Sequence, residues 1–119
     1  MDKFDGKMPC LVDGDDVVVE SRVVASFLEQ KYALPSLTDS LELAAAEEVC
    51  QPVFGSFARY CKSTDEPEDP ELKKALLLNL CKLDAHLAQQ ASPPYLCGTA
   101  LSMADCFVLP ALYLSLIHI

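Results

Sequence analysis

The spacing of apolar residues changes once along the chain, and this change limits the folds that the sequence can adopt. Residues 1–32 contain short extended runs followed by one helical pattern. Residues 33–39 include Pro35 and show no apolar periodicity, which is typical of a linker. Residues 40–119 carry helical spacing alone. The sequence therefore predicts an α+β chain, in which a small strand-containing part is joined by the linker to an all-helical part.

The first part predicts a β-hairpin followed by a helix. Residues 9–12 and 16–19 are apolar or β-branched extended runs, and Gly14 between them supplies the positive φ that a tight turn requires. An apolar stripe at helical spacing then predicts a helix that begins near Ser21 and ends near Tyr32.

Residues 40–119 predict further helices. The first has its N-cap at Ser40 and runs to about residue 63, with Pro52 inside it, where we expect a kink. The next follows the acidic loop at 64–71 and runs to about residue 90. The expected inward-facing residues are Cys50, Phe54, Phe57 and Cys61 in the first of these helices, and Leu72, Leu76, Leu80, Leu83 and Leu87 in the second.

The last helix has the clearest local signal in the chain. Ser102, Met103, Ala104 and Asp105 form a capping box in which aspartate takes the place of glutamate. The Ser102 hydroxyl is expected to accept from the backbone N–H of Asp105, and the Asp105 carboxylate to accept from the backbone N–H of Ser102. We therefore predict that Ser102 and Asp105 form a structural cap.

The charge balance excludes several classes of partner. Nine Lys and Arg stand against eighteen Asp and Glu, for a formal net charge of −9. Nucleic acids and anionic membranes need a basic surface, so neither is an expected partner. No run approaches the roughly 20 apolar residues of a membrane span. These features are typical of a soluble protein inside the cell.

The six cysteines indicate neither a disulfide framework nor a metal site. They contain no Cys-x-x-Cys pair, and several lie within apolar helical patterns. Such cysteines are expected to be reduced thiols in a reducing compartment. Since the chain has only two histidines, we predict no metal site.

Three short motifs, in their order along the chain, resemble the glutathione transferase family. They are the segment from Gly6 to Leu11, then Glu20 and Ser21, then the segment from Leu101 to Asp105. The resemblance covers nearly the whole chain. It implies the C-terminal half of a thioredoxin-like, glutathione-binding domain at 1–32 and the all-helical C-terminal domain of the family, incomplete, at 40–119.

The resemblance also implies a glutathione-binding site at Lys7, Met8, Pro9, Glu20 and Ser21. With a cis bond before Pro9, the Met8 backbone would pair with the cysteinyl backbone of glutathione. Ser21 and the helix N-terminus suit the γ-glutamyl carboxylate, Glu20 suits the ammonium, and Lys7 suits another carboxylate. Taken alone, Glu20 and Ser21 also fit a plain helix cap, and Pro9 also fits an ordinary edge-strand proline.

Within the family, the helical part is similar to the branch of dehydroascorbate reductases and chloride intracellular channel proteins. This resemblance implies a glutathione-dependent oxidoreductase with glutathione as cosubstrate and dehydroascorbate as the second substrate. The alternatives are a non-enzymatic, channel-type relative and a conventional conjugating transferase. Segments 29–32 and 35–37 are more similar to the reductase side of the branch. The segments of the helical part that carry the resemblance are 54–57, 60–63, 83–87, 95–98 and 104–110.

The resemblance implies that the chain is a fragment. The nucleophilic cysteine of such enzymes is expected upstream of residue 1, so none of the residues present is predicted to be catalytic and the fragment itself is expected to be inactive. Residues 115–119 are similar to translated adaptor sequence, and the family continues with further helices. We expect the parent protein in the cytosol, with the plastid as the alternative compartment.

Overall fold

The computed structural model describes residues 6–64, 66–91 and 94–118, with the side chain of His118 left aside. Residues 1–5 of the predicted first part and Ile119 of the predicted ending lie outside the described residues. The chain divides into two compact units, Met1–Leu37 and Thr38–Ile119. The first unit contains β1 (Cys10–Asp13), β2 (Asp16–Val19) and α1 (Ser21–Lys31), and the second contains α2 (Leu43–Lys62), α3 (Asp69–Ala88) and α4 (Met103–His118). This order, a hairpin followed by four helices, confirms the predicted fold class.

The hairpin is tight and in regular register. β1 and β2 are antiparallel, with Cys10 opposite Val19 at the open end and Asp13 opposite Asp16 at the turn. Gly14 has a φ of 62°, which residues with a Cβ seldom adopt, so glycine allows the short connection. The open end thus holds two chain segments side by side: the one that enters β1 and the one that leaves β2.

Helix α1 is a surface helix. Its apolar residues sit at helical spacing, yet none of its side chains is buried, and Val23 and Leu28 are exposed. No residue between Gly6 and Leu37 falls in the buried class. The described part of the first unit therefore depends on backbone pairing and surface contacts more than on a core.

The second unit has an apolar core between its helices. Helix α2 packs against both α3 and α4. One cluster of buried residues joins these helices with Leu96, which lies in the loop before α4; a second, smaller cluster lies around Leu76. The buried residues of the larger cluster are Ala46, Cys50, Val53, Leu83, Leu96, Ala104 and Val108.

Two predictions for α2 are wrong in detail. The helix begins at Leu43 rather than directly after Ser40, because residues 40–43 form a turn in which the Leu43 N–H bonds to the Ser40 carbonyl at 3.2 Å. Phe54 does not face inward: 61% of its surface is exposed, while Val53 is fully buried. The inward stripe follows Ala46, Cys50, Val53 and Phe57, and Cys61 at its end is half-buried. In α3 the predicted stripe has Leu76 and Leu83 buried and its other leucines half-buried.

Candidate functional site

The predicted site residues lie at the open end of the hairpin. Lys7, Met8 and Pro9 precede β1, while Glu20 and Ser21 follow β2, and all five are exposed. The Glu20 N–H donates to the Pro9 carbonyl at 3.0 Å, one step beyond the last pair of the β1–β2 register. The structure therefore brings the two segments together on one solvent-facing surface.

An ion pair joins the two segments. The Lys7 ammonium lies 3.1 Å from the Glu20 carboxylate oxygen Oε1, and each side chain keeps more than half of its surface exposed. Exposed pairs of this kind contribute little to stability, because water solvates both partners well when they separate. The Lys7 ammonium and the Glu20 carboxylate can accordingly each turn to a ligand group of opposite charge at a low cost in free energy.

Met8 is exposed at this surface. Its side chain is 77% exposed, and the peptide bond between Met8 and Pro9 is cis. Within residues 6–64, 66–91 and 94–118, no hydrogen bond uses the N–H or the carbonyl of Met8. These two groups remain available to an extended peptide, which pairs with backbone as an added strand does.

The start of α1 is electropositive and lacks a capping side chain. Glu20 occupies the N-cap position without a side-chain hydrogen bond to the helix, and the first turn contains no acidic residue. The Val24 N–H closes the first helical bond, to the Glu20 carbonyl at 2.9 Å. The positive end of the helix dipole and the exposed Ser21 hydroxyl therefore face solvent, an arrangement that favours an anion.

Glu20 has an unusual backbone conformation. Its φ is 73° and its ψ is 135°, and Glu20 is the only non-glycine residue with positive φ in the part of the chain that the structure describes. Such a conformation costs on the order of 1–3 kcal/mol for a residue with a Cβ, and it persists only where the surrounding chain imposes it. Here the bond to Pro9 and the start of α1 impose it. An acidic residue therefore occupies the N-cap position of α1.

The predicted cap of α4 is closely bonded. Asp105 is 4% exposed, and its Oδ2 accepts from the Ser102 N–H at 2.9 Å and from the Ser102 hydroxyl at 2.7 Å. The hydroxyl thus donates to the carboxylate, whereas the sequence predicted that it accepts from the Asp105 N–H. The other carboxylate oxygen, Oδ1, accepts from the Leu96 N–H at 3.0 Å. One side chain therefore holds both the helix start and the preceding loop.

The loop before α4 has a second hydrogen-bonded contact, which sequence reasoning missed. The Leu96 carbonyl lies 3.2 Å from Nε2 of His86 in α3. Sequence reasoning also missed Asn79, whose side-chain amide donates to the Pro52 carbonyl at 3.3 Å and to the Ser56 hydroxyl at 3.1 Å. Asn79 lies between the inward leucines of α3, and a polar residue at such a position is a signal that could have identified it.

The second unit contains an open groove of about 490 Å³ at the end of α2. The residues that line it include Arg59, Lys62, Thr64, Glu68 and Leu72. No sequence motif predicted this groove, and its mixed charges define no one class of ligand.

The described residues contain no cluster of His, Cys, Asp or Glu that could hold a metal ion. None of the six cysteines forms a disulfide. Cys10, next to Pro9, is half-buried in β1, whereas Cys81 and Cys106 are exposed. Among the described helices, none is both long and apolar enough to cross a membrane.

Comparison with known families gives a match over most of the second unit. Residues 41–117 match the family model described as the glutathione S-transferase, C-terminal domain. The match spans α2, α3 and nearly all of α4, together with the loop that Asp105 holds.

Relatives of known sequence match both units. The chain is 36% identical over 110 residues to the "Probable glutathione S-transferase DHAR1, cytosolic" of Oryza sativa subsp. japonica and 34% identical over 109 residues to the "Glutathione S-transferase DHAR2" of Arabidopsis thaliana. In both cases the alignment covers 92% of this chain and 48% of the relative. It is also 29% identical over 105 residues to the "Glutathione S-transferase 2" of Onchocerca volvulus, with 84% of this chain and 50% of that protein covered. The chain thus spans about half the length of these relatives.

Proposed function

The chain belongs to the glutathione S-transferase family, and from that premise we propose that the open end of its hairpin binds glutathione. The binding residues are Lys7, Met8, Pro9, Glu20 and Ser21. We further propose that the whole protein is a glutathione-dependent oxidoreductase that reduces dehydroascorbate. Glutathione serves as cosubstrate, and the second substrate is dehydroascorbate.

The binding proposal rests on two features of opposite charge at the start of α1: the positive N-terminus of the helix and the acidic residue Glu20. The γ-glutamyl end of glutathione has a carboxylate and an ammonium on one carbon atom. The uncapped helix N-terminus and the Ser21 hydroxyl suit the carboxylate. The carboxylate of Glu20, the N-cap residue next to Ser21, suits the ammonium.

The rest of the tripeptide has matching groups along the same surface. The N–H and carbonyl of Met8, which no hydrogen bond uses among the described residues, suit the cysteinyl backbone of glutathione. The Lys7 ammonium, which pairs with Glu20 in the absence of ligand, suits the glycine carboxylate. Binding would therefore exchange one exposed ion pair for two charge-assisted contacts with the ligand. We assign these residues to binding and assign no catalytic step to them.

A calorimetric titration of the purified chain with reduced glutathione tests the site. A hydrogen bond to a charged group contributes about 1.5–3 kcal/mol, so Ser21→Ala is expected to raise Kd by roughly 10-fold or more. Ser26→Ala is the matched control, because Ser26 is exposed on the same helix. Glu20→Gln should weaken binding by a comparable factor. Equal affinities of the wild type and Ser21→Ala would contradict the proposed site.

The names of the relatives support the proposed reaction. Relatives at 36% and 34% identity carry the symbol DHAR, which stands for dehydroascorbate reductase. In the proposed reaction, dehydroascorbate gains two electrons and two protons to give ascorbate, while two glutathione thiols lose them and join as glutathione disulfide. The names of the relatives include cytosolic and chloroplastic forms. We propose the cytosol for this protein, with the plastid as the alternative.

A second activity is favoured by the Onchocerca volvulus relative, whose name is simply glutathione S-transferase. The two activities are distinguished with the protein expressed from its complete coding sequence. One assay follows ascorbate formed from dehydroascorbate and glutathione, and the other follows conjugation of glutathione to an electrophilic aryl halide. Turnover in the first assay alone supports the reductase, and turnover in the second alone replaces it with a conjugating transferase.

A further inference from the structure

Helix α1 carries two of the proposed binding groups, although packing holds it weakly. None of its side chains is buried. At its start it is fixed by the chain itself and by the bond from the Glu20 N–H to the Pro9 carbonyl. Near its other end, Glu29 accepts from the Ser36 hydroxyl at 3.1 Å and from the Leu37 N–H at 2.8 Å, both in the segment that follows the helix. A helix fixed to the hairpin only at its start can tilt about that start, which would change the direction of its dipole and the position of the Ser21 hydroxyl.

A second attachment lies at the other end of the helix. The ammonium of Lys31, the last residue of α1, donates to Oδ2 of Asp13, the last residue of β1. The same ammonium lies 5.8 Å from the centre of the Phe27 ring and 6.0 Å from that of Tyr32. The hydrogen bond to Asp13 raises the pKa of Lys31 above its ordinary value of 10.5, because the bond favours the ammonium form.

The two attachments are well separated. Asp13 lies at the turn of the hairpin, whereas Pro9 and Glu20 lie at its open end. Because α1 begins at the open end and reaches Asp13 with its last residue, it runs back along the hairpin. Its 11 residues span roughly 16 Å at the usual rise per residue. A contact at that distance limits the tilt of the helix far better than one next to the pivot.

We infer that Lys31 and Asp13 are positioning residues for the glutathione site, which they influence by fixing the axis of α1 from its far end. The inference depends on the proposed function, since it concerns the same site. Neither residue touches the ligand. Their role is to keep the helix N-terminus and the Ser21 hydroxyl directed at the γ-glutamyl carboxylate, so that binding does not have to order the helix first.

The test uses the same calorimetric titration of the full chain with reduced glutathione. Lys31→Met and Asp13→Asn are each expected to raise Kd by about threefold, since exposed ion pairs have modest effects. The double variant should be no weaker than either single variant, because both remove the same contact. Lys31→Arg should retain wild-type affinity. Lys82→Met and Asp84→Asn are charge-matched controls on the exposed surface of α3 and should change nothing.

A spectroscopic measurement distinguishes an effect of Lys31 on the position of the α1 N-terminus from an effect on the stability of the whole chain. The backbone amide signal of Ser21 in nitrogen–proton correlation spectra should shift in Lys31→Met and return in Lys31→Arg. A change in the unfolding midpoint of Lys31→Met without a change in Kd would overturn the inference. If the wild type binds glutathione and Ser21→Ala weakens it, while Lys31→Met binds normally, the inference fails and the proposed site stands. If the wild type does not bind glutathione, both fail.

Discussion

Replacing Asp105 by alanine should destabilise the second unit severely. The Asp105 carboxylate is almost fully buried and accepts three hydrogen bonds, from the Leu96 N–H and from the N–H and hydroxyl of Ser102. Leu96 and Ser102 are each 2% exposed, so neither backbone N–H has ready access to water. Truncation therefore removes the cap of α4 and leaves two buried donors without an acceptor.

The magnitude follows from counting these donors. Each buried donor left without a partner costs about 1–3 kcal/mol, so the two backbone N–H groups together cost roughly 4 kcal/mol. The Ser102 hydroxyl adds little, because it can rotate towards another acceptor. A domain of this size is stable by only about 5–15 kcal/mol. Asp105→Ala should thus remove a large part of the stability of the second unit.

Urea unfolding followed by far-ultraviolet circular dichroism measures the effect, since most of the helix lies in this unit. Ser102→Ala keeps both backbone bonds to the carboxylate and should cost only about 1 kcal/mol. Asp84→Ala removes an exposed carboxylate from α3 and should change the free energy of unfolding by less than about 0.5 kcal/mol. The reasoning is refuted if Asp105→Ala lies within about 1 kcal/mol of the wild type, or if Ser102→Ala costs as much as Asp105→Ala.

Three other predictions follow from burial and backbone conformation. Leu83→Ala, in the core, should lower the free energy of unfolding by about 2–5 kcal/mol, whereas Leu78→Ala on the exposed face of the same helix should cost under about 1 kcal/mol; equal urea midpoints would contradict the described core. Burial raises the pKa of the Cys61 thiol above its ordinary value of 9.0, so an aromatic disulfide reagent should modify the exposed Cys81 before Cys61, as mass spectrometry of the partly modified chain can show. Glu20→Gly should raise the free energy of unfolding by about 1 kcal/mol by relieving the positive φ, yet weaken glutathione binding, and a loss of stability would show that the conformation is not strained.

The sequence predicted the elements well where local chemistry decides them. The hairpin follows from an apolar run and a β-branched run on either side of Gly14, and the observed positive φ of that residue is the reason that glycine stands there. The start of α4 directly after Ser102 follows from the capping motif. In both places a few adjacent residues carry the whole signal, so no distant contact is needed to interpret it.

The inward-facing residues of α2 could not all be predicted, because two possible apolar stripes along this helix share several residues. Cys50 and Phe57 belong to both the expected stripe and the observed one, and the question is whether Val53 or Phe54 lies between them. Neighbouring residues on a helix point about 100° apart, so either can complete a helical stripe. The choice depends on where α3 and α4 pack, which is tertiary information. The larger aromatic side chain lies outside, and the smaller valine fits the helix interface.

For the candidate site, the sequence supplied the residues but not their arrangement. The order of the motifs along the chain pointed to Lys7, Glu20 and Ser21. Their roles as glutathione ligands stay a prediction. The ion pair between Lys7 and Glu20 and the backbone conformation of Glu20 come from the structure alone. They depend on how the hairpin closes, which joins residues that are distant in sequence. The contact of Lys31 with Asp13 escaped sequence reasoning for the same reason.

The absence of buried side chains between Gly6 and Leu37 has a consequence for how the chain opens. Local openings that expose little apolar surface have small free energies, so the amide protons of α1 and the hairpin should exchange with deuterium on a fast timescale. Those of α2 and α3 around Val53 and Leu83 should exchange only through near-complete unfolding of their unit. Bound glutathione would then slow exchange selectively in the first group. The two units would therefore exchange their amide protons at different rates, and glutathione would slow only the faster exchange, that of the first unit.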